Sequence, residues 1–331
     1  MNNYPFVTMI IVMRNEEKYI RQCLESVIRQ DYPKDKFEII IIDGESDDNS
    51  LEIIKEYTKD YDIKIINNKR RILAAGWNIG IKAAKGEIVI RPDAHSYIES
   101  DFIKKNVKTL ISQPNAICVG GKIESISLDG VIAKSITNVL SSPFGVGNSY
   151  FRIGSKAKYV DTVAYGAYRK EIFEKVGYFN EELERNQDLE LHSRIKKIGG
   201  KFYFNPEIKS YYFTRSTIKG FMRQAFRNGK WNIITLNWQK EALSLRHMIP
   251  CIFVFSLLFN LLISFYVKKW FYILEFELIL YLLGVIIATL KIVKHNGLKY
   301  LLTTPLLFPI LHISYGIGSL VGIIKLLFIK L

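Results

Sequence analysis

The stretch FVTMIIVMRNEEKYIRQCLESVIRQDYPKDKFEIIIIDGESDDNS, residues 6–50, decides the fold of this chain. It begins with a β-branched apolar run at 6–13 and contains a second such run at 37–43. Between the two runs, Ile20, Leu24 and Val27 recur at helical spacing. A strand, a helix and a strand in this order predict a βαβ unit, because parallel strands need a crossover connection.

The same alternation continues along the chain, with further apolar runs at 63–67, 87–93 and 116–124. The sequence therefore predicts an α/β domain with a mainly parallel central sheet covered by helices on both faces. A later helix is predicted from 190 to 198, and KFYFNPE is predicted to form a strand that ends at Pro206. Asp43 and Asp93 fall at the carboxyl ends of two strands, which is the edge where open α/β sheets bind ligands.

The last third of the chain has a different composition, with long apolar runs and few charges. Residues 248–267 are a run without a charge that is long enough to span a membrane, which predicts a transmembrane helix. The runs at 271–293 and 301–324 contain glutamates or prolines, so each is predicted to span, to re-enter or to lie at the interface. Residues 246–331 are thus predicted to be a membrane region with two to three hydrophobic helices.

Before this region lies TIKGFMRQAFRNGKW, residues 217–231, where apolar side chains alternate with lysine and arginine. Such a basic amphipathic helix can lie in the headgroup plane of an anionic membrane. Packing of this helix on the α/β domain with a solvated basic face is the alternative. We therefore predict three parts: an α/β domain at 1–214, an interfacial segment at 215–245 and the membrane region.

The net charge of +14 would attract a negatively charged partner, such as a nucleic acid, an anionic lipid or a phosphate-bearing substrate. No nucleic-acid-binding motif is found, so we expect no nucleic acid partner. The N-terminus lacks a basic segment and a long apolar run, which is not the pattern of a signal peptide. The α/β domain is therefore expected on the cytoplasmic side of the plasma membrane.

Three acidic positions are candidates for chemistry, and each also has a structural interpretation. Asp43 could be an ordinary turn residue after a strand. Asp93 and His95 offer two potential metal ligands from one turn, although Asp93 could instead cap a helix. Asp188 is predicted in a first helical turn, where the helix dipole favours an ionised general base, but an N-cap would look the same. Glu190 would point to a roughly opposite face.

The order and spacing of several motifs resemble the family 2 glycosyltransferases, whose nucleotide-binding fold is called GT-A. The resemblance is strongest to exopolysaccharide enzymes of the succinoglycan-biosynthesis type. It rests on these stretches: RNEEKYIRQCLESVIRQDYP, IIDGESDDNS, RPDAHSYIESDFI, SSPFGVGNSYFR, VDTVAYGAYRKEIFEKVGYFNEELERNQDLEL, GGKFYFNP, YFTRST and HISYGIGSLVG.

The resemblance implies donor-binding roles for Asp43, for the nearby Asn78 and for Asp93. Asp93 and His95 stand where the family has its DxD metal motif, with histidine in place of the second aspartate. A divalent cation, Mg²⁺ or Mn²⁺, is the implied cofactor.

Asp188 matches the catalytic base of the family's ED motif, although the preceding residue is Gln187 rather than glutamate. Gln224 and Arg227 are similar to the QxxRW motif and imply contacts to the diphosphate or the acceptor. Asn228 follows them in place of tryptophan.

The implied activity is the inverting transfer of a hexose-type sugar from a nucleotide-diphosphate donor, expected to be a UDP-sugar. The expected acceptor is a polyprenyl-diphosphate saccharide. The product would serve exopolysaccharide, capsule or other cell-surface glycan synthesis. Anionic membrane lipids are further expected partners. One alternative is a polyprenyl-phosphate monosaccharide synthase, and another is a non-catalytic nucleotide-sugar-binding scaffold. A dinucleotide-binding oxidoreductase is disfavoured, because RNEE stands after the first strand where a GxGxxG loop would be needed.

Overall fold

The structure is a computed structural model that describes residues 4–127, 130–147, 149–241 and 245–328. The chain forms two compact units. The first unit comprises Met1–Glu124 and Tyr150–Phe213, and the second comprises Ser125–Ser149 and Thr214–Leu331.

The described residues form nine strands and thirteen α-helices. The strands are β1 Val7–Met13, β2 Phe37–Asp43, β3 Ile63–Asn67, β4 Ile88–Ile90, β5 Ser96–Ile98, β6 Ala116–Ile126, β7 Lys158–Val160, β8 Ala167–Arg169 and β9 Lys201–Phe213. The helices are α1 Ile20–Ile28, α2 Ser50–Tyr57, α3 Leu73–Ala83, α4 Phe102–Ser112, α5 Val131–Leu140, α6 Pro143–Val146, α7 Tyr150–Ile153, α8 Ile172–Val176, α9 Gln187–Lys197, α10 Ile218–Thr235, α11 Leu245–Tyr266, α12 Phe271–Asn296 and α13 Thr304–Phe328.

The strands form one mixed sheet in the order β3-β2-β1-β4-β8-β6-β9-β5, with β7 paired to β9. The four strands β3, β2, β1 and β4 are parallel to one another, which confirms the predicted α/β arrangement. The pairs β4–β8, β6–β8, β5–β9 and β7–β9 are antiparallel. The parallel part of the sheet is therefore joined, through β4, to an antiparallel part.

The parallel strands are covered on both faces, because successive side chains point to opposite sides of a strand. Met9 and Ile11 of β1 belong to an apolar cluster that includes Leu24 of α1. Ile10, between them, belongs to a second cluster that includes Trp77 of α3. Near-continuous burial of this kind explains why the strands read as apolar runs rather than as alternating patterns.

Two prolines change the strand boundaries that the sequence predicts. Strand β4 ends at Ile90 instead of 93, and Pro92 cannot donate a ladder hydrogen bond there. Asp93 consequently lies in the turn that leads to β5. Strand β9 continues through Pro206 to Phe213, because Pro206 lies between the residues that pair with β7 and those that pair with β5.

The second unit contains three helices that are long and apolar enough to cross a membrane: Leu245–Tyr266, Lys268–Asn296 and Thr304–Phe328. Many of their large apolar side chains are exposed, as expected for helices that face lipid. These three helices agree with the predicted C-terminal membrane-associated helices.

Helix α10, which carries the basic amphipathic pattern, packs lengthwise against α13 within the second unit. A Cβ atom added at Gly318 of α13 would lie 2.1 Å from the carbonyl oxygen of Phe226, and one at Gly229 of α10 would lie 2.0 Å from that of Tyr315. Both glycines therefore allow the two backbones to approach closely. The pattern of α10 alone cannot predict this contact, because half of the interface belongs to α13.

Candidate active site

The carboxyl ends of β3, β2, β1 and β4 lie on one edge of the sheet, and Asp43 is the last residue of β2. Asp43 is buried, with 6% of the residue exposed. Its Oδ1 accepts a hydrogen bond of 2.6 Å from the Ser46 hydroxyl, and the Ser46 amide is 3.3 Å away. Asp43 is thus held rigidly at the ligand edge, and its contact with a donor nucleoside stays a prediction.

The loops after β1 and β2 are joined by side-chain hydrogen bonds. Asn15 Nδ2 donates to Asp47 Oδ1 at 2.5 Å, and the Asp47 amide donates to Asn15 Oδ1 at 3.0 Å. Glu17 Oε2 accepts from the amide and the side chain of Asn49 at 3.1 and 3.0 Å. The RNEE and DGESDDNS stretches therefore form one connected rim beside Asp43.

His95 extends this rim to the loop after β4. Its Nδ1 lies 3.0 Å from Glu16 Oε1, and its ring meets that of Tyr212 edge-on with 5.3 Å between the centres. The carbonyl oxygen of Asp93 accepts a hydrogen bond of 2.6 Å from Ser96 Oγ, which fixes the turn containing Asp93 and His95.

The chemistry of this turn fits a divalent cation in the presence of a diphosphate. Among the described residues, no group of three or more His, Cys, Asp or Glu side chains could hold a metal ion. Nucleotide-bound Mg²⁺, however, takes one or two protein ligands and completes its shell with phosphate oxygens and water. A carboxylate at Nδ1, as Glu16 provides for His95, is the usual way in which a histidine ligand is oriented.

Arg91, which the sequence reasoning missed, lies buried behind this turn. Its guanidinium carbon is 4.1 Å from the ring centre of Trp77 and 5.0 Å from that of Phe179. Its Nη2 donates a hydrogen bond of 3.2 Å to the Tyr168 hydroxyl. Arg91 is 5% exposed, and its Nε has no hydrogen-bond partner among the described residues.

The charge of Arg91 connects two candidate residues that are distant in the sequence. Burial by itself would lower the pKa of Arg91, but Tyr168 and the carboxylates of Asp188 and Asp93 outweigh burial and raise it above its ordinary value. Both carboxylates are therefore close enough to act on one buried cation.

Asp188 is the second residue of α9, where backbone N–H groups without helical partners favour a negative charge. Its Oδ1 accepts a hydrogen bond of 2.9 Å from the Leu189 amide. Gln187, which stands where the family motif has glutamate, is buried and donates to the Leu183 carbonyl oxygen at 2.8 Å. Gln187 thus has a structural contact, and the role of Asp188 as a base stays a prediction.

Glu190 is not exposed on the far face of α9 but buried, with 3% of the residue accessible. Both of its carboxylate oxygens accept hydrogen bonds from Arg194, at 2.8 and 2.7 Å. Arg194 also donates to the carbonyl oxygen of Tyr178 at 2.7 Å. Glu190 therefore holds Arg194, and Arg194 ties α9 to the preceding segment.

Besides its contact with Arg91, the Tyr168 hydroxyl takes part in a buried polar network. The Tyr168 hydroxyl and His192 Nε2 share a hydrogen bond of 2.6 Å, and His192 Nδ1 lies 2.8 Å from Thr162 Oγ1. Burial, followed by the charge of Arg91, keeps the pKa of His192 well below its ordinary value. His192 is therefore neutral, which allows a positive Arg91 to remain nearby.

Asn78 has a structural role in addition to its predicted donor contact. Its Nδ2 donates to the Phe179 carbonyl oxygen at 2.9 Å and to Glu181 Oε1 at 2.7 Å. Its Oδ1 accepts from the Phe179 amide at 2.9 Å. These bonds join α3 to residues 179–181, so Asn78 holds Phe179 against Arg91. A contact between Asn78 and the donor stays a prediction.

The remaining candidates, Gln224 and Arg227, lie half-buried in α10 and belong to the second unit. Asp43, Asn78, Asp93, His95 and Asp188 all belong to the first unit. The diphosphate or acceptor contacts of Gln224 and Arg227 stay predictions.

Two motifs that the resemblance singled out meet inside the second unit. His312, from HISYGIGSLVG in α13, lies with Nε2 3.0 Å from the carbonyl oxygen of Phe144 in SSPFGVGNSYFR. Its Nδ1 is 2.9 Å from the Tyr281 hydroxyl of α12. His312 of α13 thus contacts Phe144 of the Gly-rich segment, in which Asn148 lies outside the described residues.

Backbone strain is concentrated in the loops at the ligand edge. The non-glycine residues with a positive φ among the described ones follow β1, β2 and β3 or precede β8 and α9: Asn15, Glu45, Arg71, Tyr165 and Asn186. Such conformations cost about 1–3 kcal/mol each and cluster at functional sites.

Comparison with known proteins gives the same family that the sequence motifs resemble. The sequence model of Glycosyl transferase family 2 matches residues 8–177. The chain is 33% identical over 328 residues to the dolichyl N-acetyl-alpha-D-glucosaminyl phosphate 3-beta-D-2,3-diacetamido-2,3-dideoxy-beta-D-glucuronosyltransferase of Methanococcus voltae, covering 97% of this chain and 98% of that protein. It is 24% identical to the succinoglycan biosynthesis protein ExoA of Rhizobium meliloti, over 73% of each chain.

The fold is also similar to that of a solved structure, the mannosyltransferase PcManGT from Pyrobaculum calidifontis in complex with GDP-Man and Mn²⁺. The TM-score is 0.60 at 18% identity, and the match covers 100% of this chain and 89% of that one. This likeness confirms the expected GT-A type of fold.

Proposed function

Because the chain belongs to glycosyl transferase family 2, we propose that it transfers a sugar from a nucleotide-diphosphate donor to a lipid-linked saccharide, with inversion at the anomeric carbon. The observation that carries the proposal is that Asp93 and Asp188 act on the same buried guanidinium of Arg91. This shared influence supports a site in which the metal-ligand candidate and the base candidate act together.

Asp188 acts as the general base in this proposal. Its carboxylate removes the proton from the acceptor hydroxyl, and the hydroxyl oxygen forms a bond to the anomeric carbon. The bond from that carbon to the diphosphate oxygen breaks, and the nucleoside diphosphate leaves with the electron pair. One base is sufficient, because a single displacement inverts the anomeric configuration.

Asp93 and His95 would hold the divalent cation, with Glu16 orienting the histidine ring. A bound Mg²⁺ or Mn²⁺ would neutralise negative charge on the departing diphosphate. Asp43, fixed by Ser46 at the end of β2, would bind the nucleoside part of the donor. We propose UDP as the nucleotide and treat GDP as the main competitor, since the similar mannosyltransferase binds GDP-Man.

The lipid-linked acceptor is supported by two features of the chain. Three helices are long and apolar enough to cross a membrane, and α10 adds exposed cations such as Lys219 and Arg223. The name of the Methanococcus relative contains a dolichyl N-acetylglucosaminyl phosphate. We propose a polyprenyl phosphate or diphosphate saccharide as acceptor and a cytoplasmic location of the first unit at the plasma membrane.

The experiment is a matrix of donors and acceptors with the full chain in detergent. UDP- and GDP-sugars are each combined with polyprenyl phosphate, a polyprenyl-phosphate sugar and a polyprenyl-diphosphate sugar, and nucleoside diphosphate release is measured. Release that depends on a lipid-linked sugar, with an inverted anomeric configuration by NMR, supports the proposal. Release with polyprenyl phosphate alone would assign a monosaccharide synthase instead. Donor binding without release in any combination would indicate a scaffold.

A further inference from the structure

Helices α10 and α13 lie side by side and run in the same direction. A Cβ atom added at Gly318 would meet the carbonyl oxygen of Phe226, and one added at Gly322 would lie 2.7 Å from the carbonyl oxygen of Lys230. One turn further along α13 thus corresponds to one turn further along α10. Because the two helices are packed in this way, they share one orientation towards a membrane.

This packing places the cations of α10 beside the central part of α13. Phe226, which lies opposite the middle of α13, stands between Arg223 and Arg227 in the chain. From Lys219 to Lys230 the helix rises by about 16 Å. If α13 crossed the membrane, these four cations would lie within the hydrocarbon core, where a charged side chain is strongly unfavourable. The exposed ones, Lys219 and Arg223, would then face lipid.

The contact between α11 and α13 leads to the same conclusion. A Cβ atom added at Gly316, in the middle of α13, would meet the carbonyl oxygen of Pro250 and lie 2.9 Å from Cβ of Val254. Pro250 follows Arg246 by one turn at the beginning of α11. A crossing α13 would therefore put the beginning of α11, with its arginine, at the centre of the bilayer. From Pro250 to Lys268, by contrast, the chain rises by about 27 Å, which is close to the thickness of the hydrocarbon core.

The exposed side chains of α13 form a single apolar stripe. Its members recur at helical spacing: Ile313, Ile317, Val321 and Ile324. Glycines on the other side of the helix contact α10 and α11. Helices α11 and α12 expose large apolar side chains over a wider part of their circumference. One apolar stripe with cations beside it is the pattern of a helix that lies in the membrane surface rather than across it.

We propose that α10 and α13 lie in the plane of the leaflet from which α11 enters, and that only α11 and α12 cross the membrane. The stripe of α13 contacts the acyl chains just below the headgroups, and Lys219 and Arg223 bind the phosphate groups of anionic lipids. Two crossings place the first unit and the C-terminus on the same side of the membrane, whereas three would place them on opposite sides. This inference goes beyond the proposed function and does not depend on the donor or the acceptor.

The location of the C-terminus distinguishes two crossings from three. One variant of the full chain carries a cysteine added after Leu331, and two others carry Asp60→Cys, after α2 in the first unit, or Lys269→Cys, between α11 and α12. The three native cysteines are buried, so the wild-type chain is the labelling blank. A membrane-impermeant maleimide is added to spheroplasts of a bacterial host before and after permeabilisation.

We expect Lys269→Cys to be labelled in intact spheroplasts, and Asp60→Cys and the C-terminal cysteine to be labelled only after permeabilisation. Labelling of the C-terminal cysteine and Lys269→Cys, but not Asp60→Cys, in intact spheroplasts would show three crossings and overturn the inference. Protection of all three variants would show that α11 and α12 do not cross, which also overturns it. If Asp60→Cys and the C-terminal cysteine were both labelled from outside and Lys269→Cys were protected, the inference would stand and the proposed cytoplasmic location would fail.

Spin labels test whether α13 lies in the membrane plane. Ile313→Cys, Ile317→Cys and Ile324→Cys are each labelled in the full chain, reconstituted into vesicles of phosphatidylethanolamine and phosphatidylglycerol. Their depth is measured from collisions with oxygen and with a nickel chelate, and Arg223→Cys on α10 is the control for the headgroup level. We expect the three stripe positions to have one shallow depth, just below that of Arg223→Cys. A crossing helix would separate the first and the last label by about 16 Å, and a spread larger than one helical turn, about 5 Å, would overturn the inference.

Discussion

The substitutions Asp188→Asn and Glu190→Gln should have opposite consequences, although the two residues are separated by one position in α9. Asp188→Asn keeps an oxygen that can accept from the Leu189 amide at 2.9 Å, but it cannot accept a proton from the acceptor. Loss of a positioned general base lowers the rate by about 10²–10⁴-fold. Donor affinity and Tm should change little.

For Glu190→Gln the magnitude follows from the contacts with Arg194. The carboxylate accepts two charge-assisted hydrogen bonds, at 2.8 and 2.7 Å, and the Glu190 side chain is 4% exposed. An amide offers only one acceptor oxygen to the guanidinium, carries no negative charge and leaves part of the charge of Arg194 without compensation. The loss is about 2 kcal/mol. In a domain of this size, that corresponds to a decrease in Tm of about 4–8 °C.

The assay measures donor affinity, acceptor-dependent release of nucleoside diphosphate and thermal unfolding for both variants at a temperature where Glu190→Gln is folded. We expect an inactive, stable Asp188→Asn and an active, destabilised Glu190→Gln. Retention of more than about a tenth of the activity by Asp188→Asn would lie outside the range for a lost base. Inactivity of folded Glu190→Gln would move the base to Glu190 and refute the interpretation of its ion pair as structural.

Three further predictions concern the metal turn, the buried histidine and the helix interface. Asp93→Ala should weaken Mn²⁺-dependent UDP binding at least tenfold and lower activity, and excess metal should restore part of the activity. Normal turnover of this variant in the presence of a chelator would contradict the assignment of Asp93 as a metal ligand. The pKa of His192 is lowered in the folded protein, so its contribution to the free energy of unfolding should be fully present above about pH 6.5. In denaturant titrations, the free energy of unfolding of the wild-type protein should fall by about 2 kcal/mol between that pH and pH 5. The variant His192→Gln should show a smaller decrease. Gly318→Val should clash with Phe226 and lower Tm in detergent, whereas the exposed neighbour Ile317→Val should leave it unchanged; equal Tm values for both would refute close packing of the helices.

The parallel half of the sheet could be predicted from sequence because its signal is local. Strands β1 and β2 are apolar on both faces, and the helical spacing of Ile20, Leu24 and Val27 lies between them. Strands β7 and β8 have three residues each, so their apolar pattern is too short to distinguish a strand from a loop. Their antiparallel pairing depends on partners far along the chain.

The sequence could predict where Asp43 and Asp188 lie, at a strand end and in a first helical turn, whereas Asp93 lies in the turn after β4 and the roles of all three stay predictions. Arg91 was not, because a single arginine after an apolar run gives no sign of the three aromatic rings that surround it. The backbone of Tyr165 also depends on tertiary structure, since its positive φ cannot be inferred from the neighbouring residues. Glu190 was predicted to point away from Asp188, but its burial and the bond from Arg194 to the Tyr178 carbonyl oxygen depend on tertiary contacts.

The packing of α10 on α13 has a consequence for preparing the protein. Phe221 and Ala225 of α10 are buried in a cluster with Leu307, Phe308 and Leu311 of α13. A chain cut before α11 would keep this apolar face and lose the helix that covers it. We therefore expect such a truncated protein to aggregate or to require detergent even though every membrane-spanning length has been removed, and a water-soluble form would need the cut to precede α10 or the face to be redesigned.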